Sequence, residues 1–220
     1  MRLFRAFVVI ALTAVLARPL AAQASTVSWQ DSWYWGLYGG QLSFPTVVAR
    51  TTAPTIGADW LITRTNFALR VFTDQSYFDA VSTVIDFPAT GAVRQVSITD
   101  LRRVGAAVTI FTPNINIVRP YVGLGYAFNY VRESAPLGTY FASAAAKDSI
   151  DTRINKARSA GKLFGQLGVM ATWRRWAPFM EYTVMPTQGA GTWLINGKGF
   201  SNAWALGVRY NAGSSIDKKW

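Results

Sequence analysis

Along much of this chain every second residue is large and apolar, and the residues between are glycine, alanine or a single polar group. Near the C-terminus Trp204, Leu206, Val208 and Tyr210 alternate with Ala203, Ala205, Gly207 and Arg209. Val122, Leu124, Tyr126, Phe128 and Tyr130 alternate likewise with Tyr121, Gly123, Gly125, Ala127 and Asn129. Successive side chains of a strand point to opposite faces, so each segment has one broad greasy face and one slim face. A soluble sheet would cover its water face with Lys, Glu and Thr, whereas small residues suit a cramped interior. The pattern predicts a narrow barrel whose exterior meets lipid.

Period-two alternation places strands at about 33–44, 55–63, 67–77, 96–111, 118–131, 162–173, 179–185 and 202–211. In the first, Trp33, Trp35 and Leu37 oppose Tyr34, Gly36 and Tyr38, but Leu42 and Phe44 fall on the other face, which predicts a bulge near Gly39-Gly40. The links at 64–66, around 112–114 and at 174–178 are short; those at 45–54, 78–95, 132–161 and 186–201 are long. Strict alternation of short and long links fits an up-and-down barrel with both termini in the periplasm, and a Greek-key sandwich would break it. The expected fold class is all-β, an eight-stranded antiparallel up-and-down transmembrane β-barrel, forming a single domain over 25–220.

Arg2 and Arg5 precede an apolar run from Ala6 to Ala17, and Ala22-Gln23-Ala24 has the small-x-small form of a cleavage site. Residues 1–24 therefore read as a signal peptide. A spanning helix needs about 20 apolar residues, and Arg18-Pro19 stops this run well short. The reading sends the chain to a bacterial outer membrane. With no other span-length apolar run in the sequence, a closed sheet must satisfy the backbone there. Cysteine is absent, so packing and barrel closure, with no disulfide framework, must supply stability. The formal charge of +11 includes three leader arginines and falls to +8 without them. The basic residues are scattered and form no run, which points to anionic lipid head groups as partners and away from nucleic acid.

The segments Pro120-Tyr-Val-Gly-Leu-Gly-Tyr-Ala-Phe and Ala205-Leu-Gly-Val-Arg-Tyr resemble strands of small eight-stranded outer-membrane proteins of the OmpA/OmpX type. The resemblance covers most of 33–211. It implies the barrel-assembly machinery as a partner, because such proteins commonly end on an aromatic residue that this machinery reads. Tyr210 stands at the expected place but is followed by Asn211 to Trp220, so either a short tail trails the signal or Trp220 is the terminal aromatic.

Asp59, Arg70, Arg103, Glu181 and Arg209 fall on inward positions, with Asp74 near the rim. An eight-stranded barrel is just wide enough for side chains to fill, and unpaired charges there are very costly. These residues are expected to pair and plug the lumen. Trp33, Tyr34, Trp35, Trp173, Trp176 and Tyr210 gather at inferred periplasmic strand ends as a girdle. Arg64, Arg119, Arg174 and Arg175 lie beside them; Arg174 and Arg175 are candidate phospholipid head-group contacts. In the longest link, 144–158 reads as a short helix, and Arg153, Lys156, Arg158 and Lys162 are candidates for lipopolysaccharide phosphates.

Histidine is absent as well. Outer-membrane barrels that perform lipid acyl transfer, deacylation or proteolysis use a histidine base, so the resemblance transfers no catalytic set to this chain. No cofactor is expected; without His or Cys only a loose Ca²⁺ contact at Asp148 and Asp151 is conceivable, and their spacing is not that of an EF-hand. Three functions stay open: a non-enzymatic barrel serving envelope integrity or surface and lipid contact through its loops, a conduit passing small hydrophobic ligands sideways through a wall loosened by Gly165, Gly168, Gly189, Gly191, Gly197 and Gly199 around strands six to eight, and a soluble calycin-like barrel holding a lipid.

Overall fold

The computed structural model describes residues 29–87, 92–113, 115–138, 143–187 and 193–215. Residues 1–28, with the expected signal peptide at 1–24, and residues 216–220, with Trp220, lie outside these. Eight strands run in chain order: β1 (Ser32–Pro45), β2 (Arg50–Thr63), β3 (Phe67–Phe87), β4 (Ala92–Phe111), β5 (Val118–Pro136), β6 (Ser159–Ala171), β7 (Trp176–Pro186) and β8 (Phe200–Ser214). Each pairs antiparallel with its sequence neighbours, and β1 closes on β8 from Ser32↔Ser214 to Ser43↔Asn202. The expected up-and-down barrel is what forms. Among the described residues no helix is long and apolar enough to cross a membrane, which says nothing of crossing by strands.

The alternating faces lie as the pattern predicts over the central part of every strand. Leu37, Leu124 and Phe128 are 72%, 65% and 66% exposed, and Leu69, Val108, Leu167, Met180 and Leu206 join them in an apolar belt around the wall. Arg70, Arg103, Tyr121, Glu181 and Arg209 are buried inside. An exterior this apolar would be a severe liability in water and suits hydrocarbon.

Toward one end the pattern inverts. In β1, Leu42 and Phe44 continue the inward series of Tyr34 and Tyr38 and are fully buried, while Gln41 and Ser43 face out. The β1–β2 register runs unbroken through Gly39 and Gly40, so the bulge expected there does not exist. What changes is the environment of the two faces: above the belt the wall becomes a soluble sheet, apolar inside and polar outside. The same inversion carries β3 and β4 beyond the belt, with Val84, Val96 and Ile98 buried and Asp79 exposed. Bulges occur elsewhere: the β3–β4 register shifts between Ser76 and Asp79, next to Asp100 at φ 53°, and the β1–β8 register shifts between Trp33 and Tyr34.

Two of the expected long loops are thereby corrected. The link at 45–54 is a turn at 46–49, closed by the Thr46 N–H donating to Ala49 O at 2.8 Å. Most of 78–95 is strand, the arms of the β3–β4 hairpin. The helix expected at 144–158 is present as α1 (Ala144–Ala157). Ser143 caps it by accepting from the Ala146 N–H at 3.1 Å, Lys147 and Asp151 pair at 2.8 Å, and Ile150, Ile154 and Ala157 form its buried stripe.

Because the faces invert, the cost of core truncation should follow the inner face past the belt. Leu42→Ala should lower unfolding stability by about 2–5 kcal/mol, and Gln41→Ala should change it by no more than about 0.5 kcal/mol. Urea titrations of the folded barrel measure both; equal effects would contradict the assignment of faces.

Candidate functional site in the barrel interior

Among the described residues the buried charges number six, three guanidiniums and three carboxylates: Arg70, Arg103, Arg209, Asp59, Asp74 and Glu181. Four of them form one chain across the lumen. Glu181 on β7 meets Arg70 Nη1 at 2.5 Å, Arg70 Nε meets Asp59 on β2 at 2.8 Å, and Asp59 meets Arg209 Nη2 on β8 at 2.6 Å. Asp74 takes a bidentate grip from Arg103, both contacts at 2.8 Å. Two of the guanidiniums also lie against rings: Arg209 is 3.6 Å from the Phe179 centroid and Arg70 is 4.9 Å from that of Phe72. Matching charges one for one and filling the remaining hydrogen bonds is what makes such burial tolerable.

Three members of this network carry no formal charge and escaped the reading of the sequence. Tyr121 donates to Glu181 at 2.9 Å, and Tyr38 donates to Asp74 at 3.0 Å. Gln166 accepts from Arg70 at 3.1 Å and donates to Thr109 at 2.9 Å. A signal for them was present, because all three lie on inward positions facing glycines on the next strand.

Those glycines explain how partners two strands apart can touch. Gly36 is paired with Asp59 on one side and Arg209 on the other, and these two join over it. A methyl group at Gly36 would overlap Asp59 Oδ1. Gly57 separates Tyr38 from Asp74, Gly168 separates Tyr121 from Glu181, and Gly123 separates Thr109 from Gln166. In each case a Cβ on the glycine would press into the side chain that crosses it. Alternation of glycine with bulky inward groups thus lets each crossing side chain reach the second strand along.

The network lies between two apolar plugs. At the turn end Tyr34, Leu61, Phe111, Tyr121, Met170 and Phe179 pack together, with Trp29 against Phe111 at 4.6 Å. At the other end α1 and the segment Trp193–Leu194–Ile195 fold over the mouth onto Leu42, Phe44, Val84, Ile98 and Phe164. Leu194 N–H donates to Ala157 O at 2.9 Å, and Ser82 Oγ donates to Leu194 O. Between the network and this cap is a cavity of about 20 Å³ lined by Arg70, Asp74, Arg103, Glu181 and Thr183 among others. That is room for one water. A lipid does not fit there, and the apolar exterior is wrong for a soluble carrier, so the calycin-like reading is set aside.

The six basic residues singled out for lipid divide between the two ends. Arg153 donates to the carbonyls of Ile85 and Asp86, each at 3.2 Å, and Arg158 donates to those of Val131 and Arg132. These two guanidiniums fasten α1 and its exit to carbonyl groups of β3 and β5. Lys156 is exposed, and the Lys162 ammonium lies 5.6 Å from the Trp193 ring. Arg174 and Arg175 are exposed at the opposite end, in the β6–β7 turn. Asp151 is engaged with Lys147, and among the described residues no group of three or more acids, His or Cys could hold a metal ion.

Closed up-and-down topology, an apolar outer belt and a polar packed interior together define an eight-stranded barrel of the outer-membrane type. The chain is similar in fold to the Neisserial surface protein NspA, with a TM-score of 0.55 and 13% identity, covering 81% of this chain and 96% of that one. Looser likenesses are to Ail, the attachment invasion locus protein of Yersinia pestis, with TM-score 0.44, 11% identity and coverage of 83% and 99%, and to OprG of Pseudomonas aeruginosa, with TM-score 0.45, 10% identity and coverage of 84% and 98%. No protein-family model matches the chain, and no curated protein matches it in sequence.

Glu181→Gln should test the network, since it keeps the shape and leaves Arg70 with one carboxylate. Breaking a buried pair on one side should lower stability by on the order of 3 kcal/mol, read as a lower urea midpoint. An unchanged midpoint would mean that Glu181 is not ionised and paired in the folded barrel.

Proposed function

We propose that this protein is a non-enzymatic, integral barrel of the bacterial outer membrane whose lumen is closed and whose contributions are to envelope integrity and to contact with lipids and the cell surface. The observation that carries this reading is the stack of turn-end plug, charge chain and apolar cap along the described interior. In this orientation the turns at 64–66, 112–117 and 172–175 face the periplasm, and α1, the β3–β4 hairpin and the 193–199 segment face outward. The absence of histidine, together with an interior whose carboxylates are all engaged by arginines, supports a role without catalysis. Outer-membrane lipids and the barrel-assembly machinery are the partners this reading requires. Refolded protein should show heat-modifiable gel migration and, in planar bilayers, no steady conductance. Glu181→Gln should leave the bilayer silent; a stepwise ohmic conductance in either protein would remove the closed-lumen reading.

A second reading, sideways passage of small apolar molecules through the wall, is supported by one feature of the sheet. The β6–β7 ladder stops at Gly165↔Val184, although β6 continues to Ser159 and β7 to Pro186. Trp193, which is 1% exposed, packs near this divergence, its ring 5.6 Å from the Lys162 ammonium of β6, and its indole N–H has no acceptor among the described residues. Passage would require the cap to move. Trp193→Gly should therefore speed uptake of an apolar dye into proteoliposomes if the seam is a route, and leave it at the level of empty liposomes if the cap is only structural.

A further inference from the structure

The β6–β7 turn breaks a local rule in a way that exposes two cations, without a carboxylate partner among the described residues, beside aromatic rings. Trp173 and Trp176 exchange backbone hydrogen bonds, Trp173 N–H to Trp176 O at 2.8 Å and Trp176 N–H to Trp173 O at 3.0 Å, leaving Arg174-Arg175 as a two-residue loop. The first loop position is left-handed, with Arg174 at φ 55°. Two-residue hairpin loops prefer Gly, Asn or Asp there. The other described non-glycine residues with positive φ are Asp31, Asp100 and Asn116, types that tolerate the conformation. An arginine in this place is locally unfavourable, and such exceptions concentrate at functional positions.

The surroundings say what the position could serve. Arg174 lies over the Trp173 ring at 5.6 Å, and Arg175 Nη1 donates to Tyr210 Oη at 3.2 Å, with Tyr210 packed edge-on against Trp176 at 5.0 Å. Neither arginine has a carboxylate partner among the described residues, and Asp31, a described acid at this end, is taken by Arg64 at 3.2 Å. Trp173, Trp176 and the neighbouring Ile115 and Ile117 are all at least half exposed. Directly along the wall from the turn, Met180 and Val208 begin the apolar belt.

We propose that this turn is a binding site for one anionic phospholipid. The two guanidiniums take the phosphodiester, for which their planar donor forks are matched. Trp173, Trp176 and Tyr210 flank the glycerol region, and the acyl chains lie on the Met180 and Val208 face. A free phosphate would satisfy the cations and leave the exposed rings and isoleucines without a role, so the lipid is the occupant that uses the whole surface. The site rests on the membrane reading given above.

Native mass spectrometry of the full chain in detergent, titrated with phosphatidylglycerol or phosphatidylcholine, tests it. Wild type should retain phosphatidylglycerol preferentially, and R174N/R175Q, in which Asn keeps the left-handed turn, should lose that preference by roughly tenfold, the size of a lost charge-assisted contact. Lys198→Gln at the opposite end should behave as wild type. Equal retention of both lipids by wild type, or undiminished phosphatidylglycerol on the double variant, would overturn the proposal. Displacement of the lipid by millimolar inorganic phosphate would overturn its lipid component. Heat-modifiable migration and flotation with liposomes, measured alongside, separate a failure of the site from a failure of the membrane reading.

Discussion

Everything in this barrel depends on closing β1 against β8, because hydrocarbon offers no hydrogen bonds to an open sheet edge. Closure of only eight strands makes a cylinder too narrow to leave empty, and the backbone demand outside becomes a packing demand inside. The glycines reconcile the two. At Gly36 the closure seam brings Asp59 and Arg209 within 2.6 Å although they are 150 positions apart in sequence, because the residue between them has no side chain. The ion pair that spans the seam exists only in the closed barrel. Interior electrostatics and barrel closure are therefore one cooperative event in this protein, and the same substitution would disturb both.

The charge chain also fills the middle of the described interior with side chains of the wall itself. Three arginines and three carboxylates balance, so the described buried charges sum to zero formal charge. Aromatic faces on Arg70 and Arg209 exclude water from the flanks of the guanidiniums. Beside the network lies a pocket the size of one water, and a bound water is a common way for a buried polar network to complete its hydrogen bonding.

The belt region was legible in the sequence because one feature, a period-two row of mostly large apolar residues, marks the outer face of the strands there, while the inner face mixes glycine and alanine with charged and bulky groups. It gave the faces of Trp35, Leu124 and Glu181 and the inward placement of Asp59, Arg70, Arg103 and Arg209. It could not say which charges meet, since partners such as Asp59 and Arg209 sit on strands joined by closure and not by a turn. Tyr38, Tyr121 and Gln166 were passed over because uncharged inward residues look like filler until their partners are placed. Above the belt the rule reverses, so Leu42 and Phe44 looked like a register error and 78–95 looked like a loop. Arg153 and Arg158 looked like head-group ligands for a related reason: an exposed arginine has the same sequence signature whether it meets a phosphate or caps the carbonyls of a strand edge.

That last distinction bears on how the open edge of β3 is managed. β2 pairs with β3 only as far as Thr55↔Ser76, so the longer strand continues past its neighbour with carbonyls facing outward from the sheet. Thr46 Oγ1 donates to Val81 O at 2.8 Å, Asn196 Nδ2 to Thr83 O at 2.8 Å and Arg153 Nη1 to Ile85 O at 3.2 Å. Three side chains from three different connections thus cover alternate carbonyls along one edge. An uncovered strand there would offer a template for pairing with another chain. The cap over the mouth and the protection of the edge are built from the same segments, which ties the order of the outer connections to the solubility of the hairpin they surround.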